Sequence, residues 1–302
     1  MAADVAAPAG RLAAEVAPRA ASNARRRWRR FARNRVAIVG VAIVGLLALI
    51  AVFAPALAPY PDDAAGAVHA QDALLPPSLA HPFGTDDLGG DVFSRVLIGS
   101  RYSLAVGVAV VVLAIAIGVP LGAIAGYAGG FANESIMRAT DIFLTIPGIV
   151  LALAIGSALG PGLVNATIAL ALVWWPGFCR LTQGQVLALR EQTFVDAARV
   201  SGAGGGRIVG RHILPNTLTP ITVKISMDIG FVILTAAGLS FIGIGAQPPT
   251  PEWGAMVSLG RQFMPDWWWY VTFPGLAIFL AVFGFNMVGD GIRDALDPRG
   301  LR

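Results

Sequence analysis

The fold class predicted by this sequence is an all-α integral membrane protein with about six transmembrane helices. Three observations carry that expectation. The 302 residues are 56% hydrophobic and only 13% charged, whereas a soluble domain carries about 25% charged residues. So few polar side chains cannot cover a water-facing surface, and lipid must solvate much of it. Apolar stretches recur along the chain, each long enough at roughly 20 residues to cross about 30 Å of hydrocarbon. The basic residues, finally, fall almost entirely into alternate connecting segments.

The stretches lie at 36–58, 104–127, 142–159, 163–178, 218–244 and 270–287. Only Gly160, Pro161 and Gly162 separate the third from the fourth, which predicts an antiparallel helical hairpin. Of the 36 glycines, Gly118, Gly122, Gly126 and Gly130 recur every four residues. Such a stripe lets a second backbone approach closely. This spacing fits packing within the subunit or a gating role, and Pro120 can kink the same helix.

Arginine fixes the orientation. With the N-terminus in the cytoplasm, the inner segments hold Arg11, Arg19, Arg25, Arg26, Arg27, Arg29, Arg30, Arg33 and Arg35. They also hold Arg138, Arg180, Arg190, Arg199, Arg207, Arg211, Arg293, Arg299 and Arg302, making 18 of the 22 basic residues. Arg95, Arg101 and Arg261 alone lie outside, and the outer segments are acidic. The positive-inside rule therefore puts both termini in the cytoplasm. Trp267, Trp268, Trp269 and Tyr270 fit an outer membrane interface, and Trp28 and Phe31 an inner one. The first 24 residues have no apolar periodicity and read as a disordered tail. A cleavable signal peptide would need a far shorter basic region.

Several activities lack their residues. No glycine loop precedes the only lysine, Lys224, so the phosphate cradle of a nucleotide site is missing. One cysteine and three histidines offer no zinc spacing, and no hydrolase triad is visible. No enzyme activity, no bound cofactor and no nucleic-acid partner are expected. Asp86, Asp87 and Asp91 do not form a calcium loop, because Leu88 stands where a ligand is needed. They read as a helix cap and a solvated outer surface.

The inner loop 184–216 is the most informative segment. Its residues 191–216 read EQTFVDAARVSGAGGGRIVGRHILPN. Phe194, Val195, Ala197, Ala198 and Ser201 recur at helical spacing, and Gly202 follows where a helix can end in a left-handed residue. Residues 204–206 allow a sharp turn. Arg207 to Ile213 predict a second short helix, stopped by Pro215.

This loop resembles the EAA signature of binding-protein-dependent ABC importer permeases. The resemblance implies that Asp196, Ala197, Ala198 and Gly202 belong to a coupling helix that docks on a nucleotide-binding subunit, with Phe194 beside them. Asp196 stands for the usual Glu, and Ile213, Leu214 and Pro215 match the closing Ile-Leu-Pro. The likeness covers roughly 30–302. Residues 81–89, HPFGTDDLG, 239–243, LSFIG, and the C-terminal run from Gly289 to Arg299 resemble the dipeptide, oligopeptide and nickel permeases, and the long outer segment between the first two spans resembles the C-type member of the pair. Gly90 and Ala236 depart from that pattern, which has Arg and often Glu there.

The resemblance implies a type I ABC importer transmembrane domain in the cytoplasmic (inner) membrane. It would form half of a translocation pathway for peptides or a related small solute. Its expected partners are a second, related permease, two nucleotide-binding ATPase domains that bind the ATP, an extracytoplasmic substrate-binding protein and membrane lipid. The expected organisation is a basic tail over 1–35, a first helix and outer segment over 36–100, and a permease core over 101–302. A stand-alone secondary transporter or channel is the other reading, but it would leave the inner loop without a purpose. Lys224 and Asp228 lie four residues apart within the fifth stretch. A charge there costs about 2.5–3.5 kcal/mol on insertion scales. They are expected either to neutralise each other or to line the pathway.

Overall fold

The structure, a computed structural model, describes residues 30–296. The tail over 1–29, with Trp28 and its arginines, and the residues from Asp297 to Arg302 lie outside the described residues. Within them the chain is helical; its one isolated β-bridge joins Thr85 and Asp91.

Helix α1, Arg35–Leu57, begins where the Asn34 side chain accepts from the amides of Val36 and Ala37. Its apolar side chains are mostly exposed, as a lipid-facing helix requires. It leans on the last helix, α9 (Trp269–Leu296). Glycines make this approach close: a β-carbon on Gly291 would lie 2.3 Å from that of Ala37.

Helix α2, Val92–Ala128, has 37 residues and is therefore about 55 Å long. That exceeds the hydrocarbon thickness. Its first turns, largely buried between Val92 and Ser100, sit under the outer loop instead of in lipid. The glycine stripe has a clear use. β-Carbons on Gly118 and Gly122 would lie 2.4 and 2.3 Å from the carbonyl oxygens of Trp175 and Cys179. A β-carbon on Gly126 would lie 2.7 Å from that of Val186. The stripe is the seam along which α2 packs against α5 (Leu163–Arg190). Gly130 falls outside it, since α2 has already ended.

The third stretch departs from the expectation of one straight span over 142–159. It is the end of α3, Gly130–Thr145, followed by α4, Gly148–Leu159, and the two are bent by 92°. Pro147 supplies no amide, and Ile146 before it is extended at φ −87° and ψ 131°, as a residue preceding proline prefers. With 12 residues, α4 spans about 18 Å, too little to cross alone. Among the described residues, five helices are long and apolar enough to span a membrane, or six if the bent pair is one span. The turn at 160–162 is as expected: Gly160 and Gly162 take φ of +86° and +140°. α5 then runs three turns past the predicted end, to Arg190.

After α6, Thr193–Val200, the chain enters α7, Gly205–Phe241. A short outer helix α8, Trp253–Gly260, precedes α9. Its cap is Glu252, whose carboxylate accepts from the amides of Gly254 and Ala255 and from the Ser103 hydroxyl of α2. The main core lies among α2, α5 and α7, around Val110, Leu170, Phe178, Val232 and Leu239.

Candidate coupling site and intramembrane charge pair

Helix α6 is amphipathic, and one residue anchors it. Val195 is fully buried in a cluster with Ala123 of α2, Val186 of α5, and Ile208 and Ile213 of α7. Phe194, Asp196, Ala197, Arg199 and Val200 face outward, and Val200 is 90% exposed. Asp196 pairs with Arg199 at 2.9 Å, an exposed contact worth little stability. Asp196, Ala197 and Val200 form a short exposed ridge where α6 meets one end of each of three helices. Ala198 is half-buried against the anchoring cluster, so it belongs more to the seat of the helix than to its outer ridge.

The end of α6 is closed by Gly202 at φ +81°. The amides of Gly202 and Ala203 donate to the carbonyls of Arg199 and Ala198, the Schellman arrangement. The expected turn at 204–206 is displaced. Reversal happens at Gly202, while Gly205 and Gly206 already belong to α7. Gly205 lies beneath the Tyr127 ring, 3.0 Å from where its β-carbon would stand.

The separate short helix stopped by Pro215 is not formed. α7 runs from Gly205 through Pro215 to Phe241. A π-helical turn at Ile208–Ile213 shifts the bonding, so that the Leu214 amide donates to the Val209 carbonyl. This wider register leads into Pro215 near the start of the following α-helical segment, where a missing amide is tolerated. The Asn216 side chain donates to the His212 carbonyl at 2.7 Å. Ile213 is fully buried, Leu214 half-buried and Pro215 exposed. The closing Ile-Leu-Pro thus lies at the junction between the loop carrying α6 and the core part of α7. Val195 as anchor and Val200 as the most exposed apolar side chain of α6 were not singled out by the motif, although Val195 lies on the apolar side of its period.

Lys224 and Asp228 do meet. The ammonium is 2.9 Å from Asp228 Oδ2 and donates to Oδ1 at 3.2 Å. It also stands 5.0 Å from the centre of the Phe178 ring of α5 and beside Gly177, whose β-carbon would lie 3.3 Å from it.

The outer segment is less solvated than its acidity implied. Asp91 caps α2 through the Ser94 amide, as expected. Yet Asp63, Asp86 and Asp91 are all buried. Asp86 accepts from the amides of Leu88 and Gly90 and lies 3.2 Å from the buried Arg95 guanidinium. Burial pushes its carboxyl above the usual range, opposed by Arg95 and by the two amides. Gly90 is where it must be small, since its β-carbon would lie 3.0 Å from the Asp86 carboxylate. Trp268 is exposed, as an interfacial ring should be, but Trp269 and Tyr270 are buried. They donate instead to the Thr85 carbonyl and the Asp87 carboxylate, pinning the outer loop to α9.

Comparison with known proteins agrees with this architecture. Residues 118–301 match the family described as binding-protein-dependent transport system inner membrane component. Residues 22–77 match the N-terminal TM domain of oligopeptide transport permease C. The chain is 48% identical over 262 residues to the probable D,D-dipeptide transport system permease protein DdpC of Escherichia coli, covering 87% of each. It is 47% identical over 275 residues to the dipeptide transport system permease protein DppC of Alkalihalophilus pseudofirmus, covering 91% of this chain and 90% of that one. It is 46% identical over 272 residues to the glutathione transport system permease protein GsiD of Pectobacterium atrosepticum, covering 90% of each. In fold it resembles a chain of the inward-facing MetNI methionine ABC transporter, with a TM-score of 0.57 and 18% identity, over 68% of this chain and 98% of that one. The chain is a transport permease, not an enzyme, and it belongs to the binding-protein-dependent transport system inner membrane component family.

Proposed function

We propose that this chain forms half of the translocation pathway of an ATP-driven importer for peptides or a related small solute. It lies in the inner membrane with both termini in the cytoplasm. A second permease completes the pathway, two ATPase domains bind the ATP, and an extracytoplasmic binding protein delivers substrate to the outer loops. The observation that carries the reading is α6: a ridge of small and exposed residues, Asp196, Ala197 and Val200, held by the buried Val195 to α2, α5 and α7. A partner groove that receives this ridge moves three helices at once. A stand-alone transporter would have no use for such an element. The peptide class is supported by the names of the relatives at 46–48% identity, two concerned with dipeptides and one with glutathione. The test is purification of the tagged chain from membranes. An ATPase and a second permease should come with it, and hydrolysis by that complex should rise with peptide-loaded binding protein. Peptide transport by the chain alone, without an ATPase, would contradict the reading.

A further inference from the structure

The geometry points to Lys224 and Asp228 as a subsite for the charged termini of a zwitterionic peptide in transit. This rests on the peptide reading above. Lys224 lies six residues into the apolar stretch 218–244 of helix α7, where a charge facing lipid is costly. Its side chain is nonetheless 29% exposed in the isolated chain, and that of Asp228 is 12% exposed. The open side of the pair therefore faces a partner subunit or a water-filled path, not hydrocarbon. The same helical face continues outward through Phe231, which is 51% exposed, and Thr235, seven and eleven residues beyond Lys224.

The pair is not clamped by other ions. Among the described residues, Lys224 and Asp228 form ion pairs with each other alone. The ammonium also lies over the Phe178 ring and beside the bare backbone of Gly177. Such a pair can exchange partners without exposing a net charge. A peptide carboxylate takes the Lys224 ammonium while the peptide ammonium takes the Asp228 carboxylate, and the reverse exchange releases the peptide. Charge-assisted hydrogen bonds of this kind are strong, and their simultaneous exchange keeps every intermediate neutral.

The test uses the complete complex in liposomes, with labelled Ala-Ala as probe. Single removals strand a charge, so two variants that leave none are compared: Lys224→Asp with Asp228→Lys, and Lys224→Met with Asp228→Leu. Both should assemble and keep ATP hydrolysis stimulated by the loaded binding protein. Uptake should fall roughly tenfold, as expected when a hydrogen bond to a charged group is removed. Wild-type uptake in either variant overturns the subsite, and so does a deficit explained entirely by poor assembly, the signature of a purely structural pair. If the unaltered complex hydrolyses ATP but carries no peptide, the peptide reading itself fails, and the subsite with it.

Discussion

The amide of Ala203 donates to the carbonyl of Ala198 at 3.0 Å. This bond ties the residue after the Gly202 turn back to the seat of α6, and it requires Gly202 in its left-handed conformation. A β-carbon at 202 meets no neighbour within 4 Å, so the constraint is in the backbone and not in packing. Gly202→Val should cost at least about 1–2 kcal/mol locally while leaving membrane insertion intact. Amide hydrogen exchange over 195–203 measures it. Exchange should accelerate there and stay unchanged in α2 and α5; unchanged exchange over 195–203 would contradict the left-handed turn as a constraint on α6.

The seam between α2 and α5 makes a sharper packing prediction. A β-carbon on Gly122 would lie 2.3 Å from the Cys179 carbonyl, and backbone cannot rotate aside. Gly122→Ala should destabilise the chain by about 1–3 kcal/mol, as overpacking does. Gly184→Ala, on the same α5 with open space around it, is the control. Thermal unfolding in detergent should separate the two, and equal midpoints would count against the seam.

Asp86 predicts a pH dependence. Its carboxyl is raised above the ordinary 3.8, first by burial. A raised folded-state value favours the protonated form, so its contribution is fully present below 3.8 and falls away as pH rises through the folded value. Relative to Asp86→Asn, the wild-type chain should gain stability on acidification from about pH 7 toward pH 4. Unfolding midpoints of both proteins across that range supply the slope. A wild type that loses ground to the variant on acidification would show that Arg95 outweighs burial.

Topology can be read with a membrane-impermeant thiol reagent, because the native Cys179 is buried. Leu79 is fully exposed in the outer loop and Val200 is 90% exposed on α6. Leu79→Cys should label in intact cells, and Val200→Cys only after permeabilisation. The reverse pattern would invert the orientation argued from arginine.

Much of this fold was legible because hydropathy speaks directly to lipid exposure: the stretches around α1, α2, α5, α7 and α9 are long apolar runs. The bend at Ile146 and Pro147 was not, since both residues are apolar and a broken span keeps the hydropathy of a straight one. Pro215 misled in the opposite direction. Proline halts a regular helix, but the π-turn at Ile208–Ile213 admits it, and nothing in residue identity announces that register. Acidic residues in the outer segment suggested solvent. Asp86 is held beside the buried Arg95, and Asp87 takes the hydroxyl of Tyr270, 183 positions away; such distant pairing has no local signature. In the loop carrying α6, the motif identified the exposed Asp196 and Ala197 and the Gly202 turn. It did not separate the outward ridge from Ala198, which leans on the anchor, because the tilt of an eight-residue helix is set by Val195 finding its cluster.

If a partner ATPase drives this chain through α6, the ridge must fit a groove on that partner. Ala197 tests this most directly, being exposed, small and away from the anchoring cluster. The measurement is transport and binding-protein-stimulated ATP hydrolysis by the reconstituted complex carrying Ala197→Trp, with the amount of bound ATPase determined alongside. A bulky ring on the ridge should leave insertion intact and reduce transport and stimulation together by about tenfold or more, the scale on which disrupting a central interface residue acts. Normal transport with normal stimulation and normal ATPase binding would contradict the assignment of this loop.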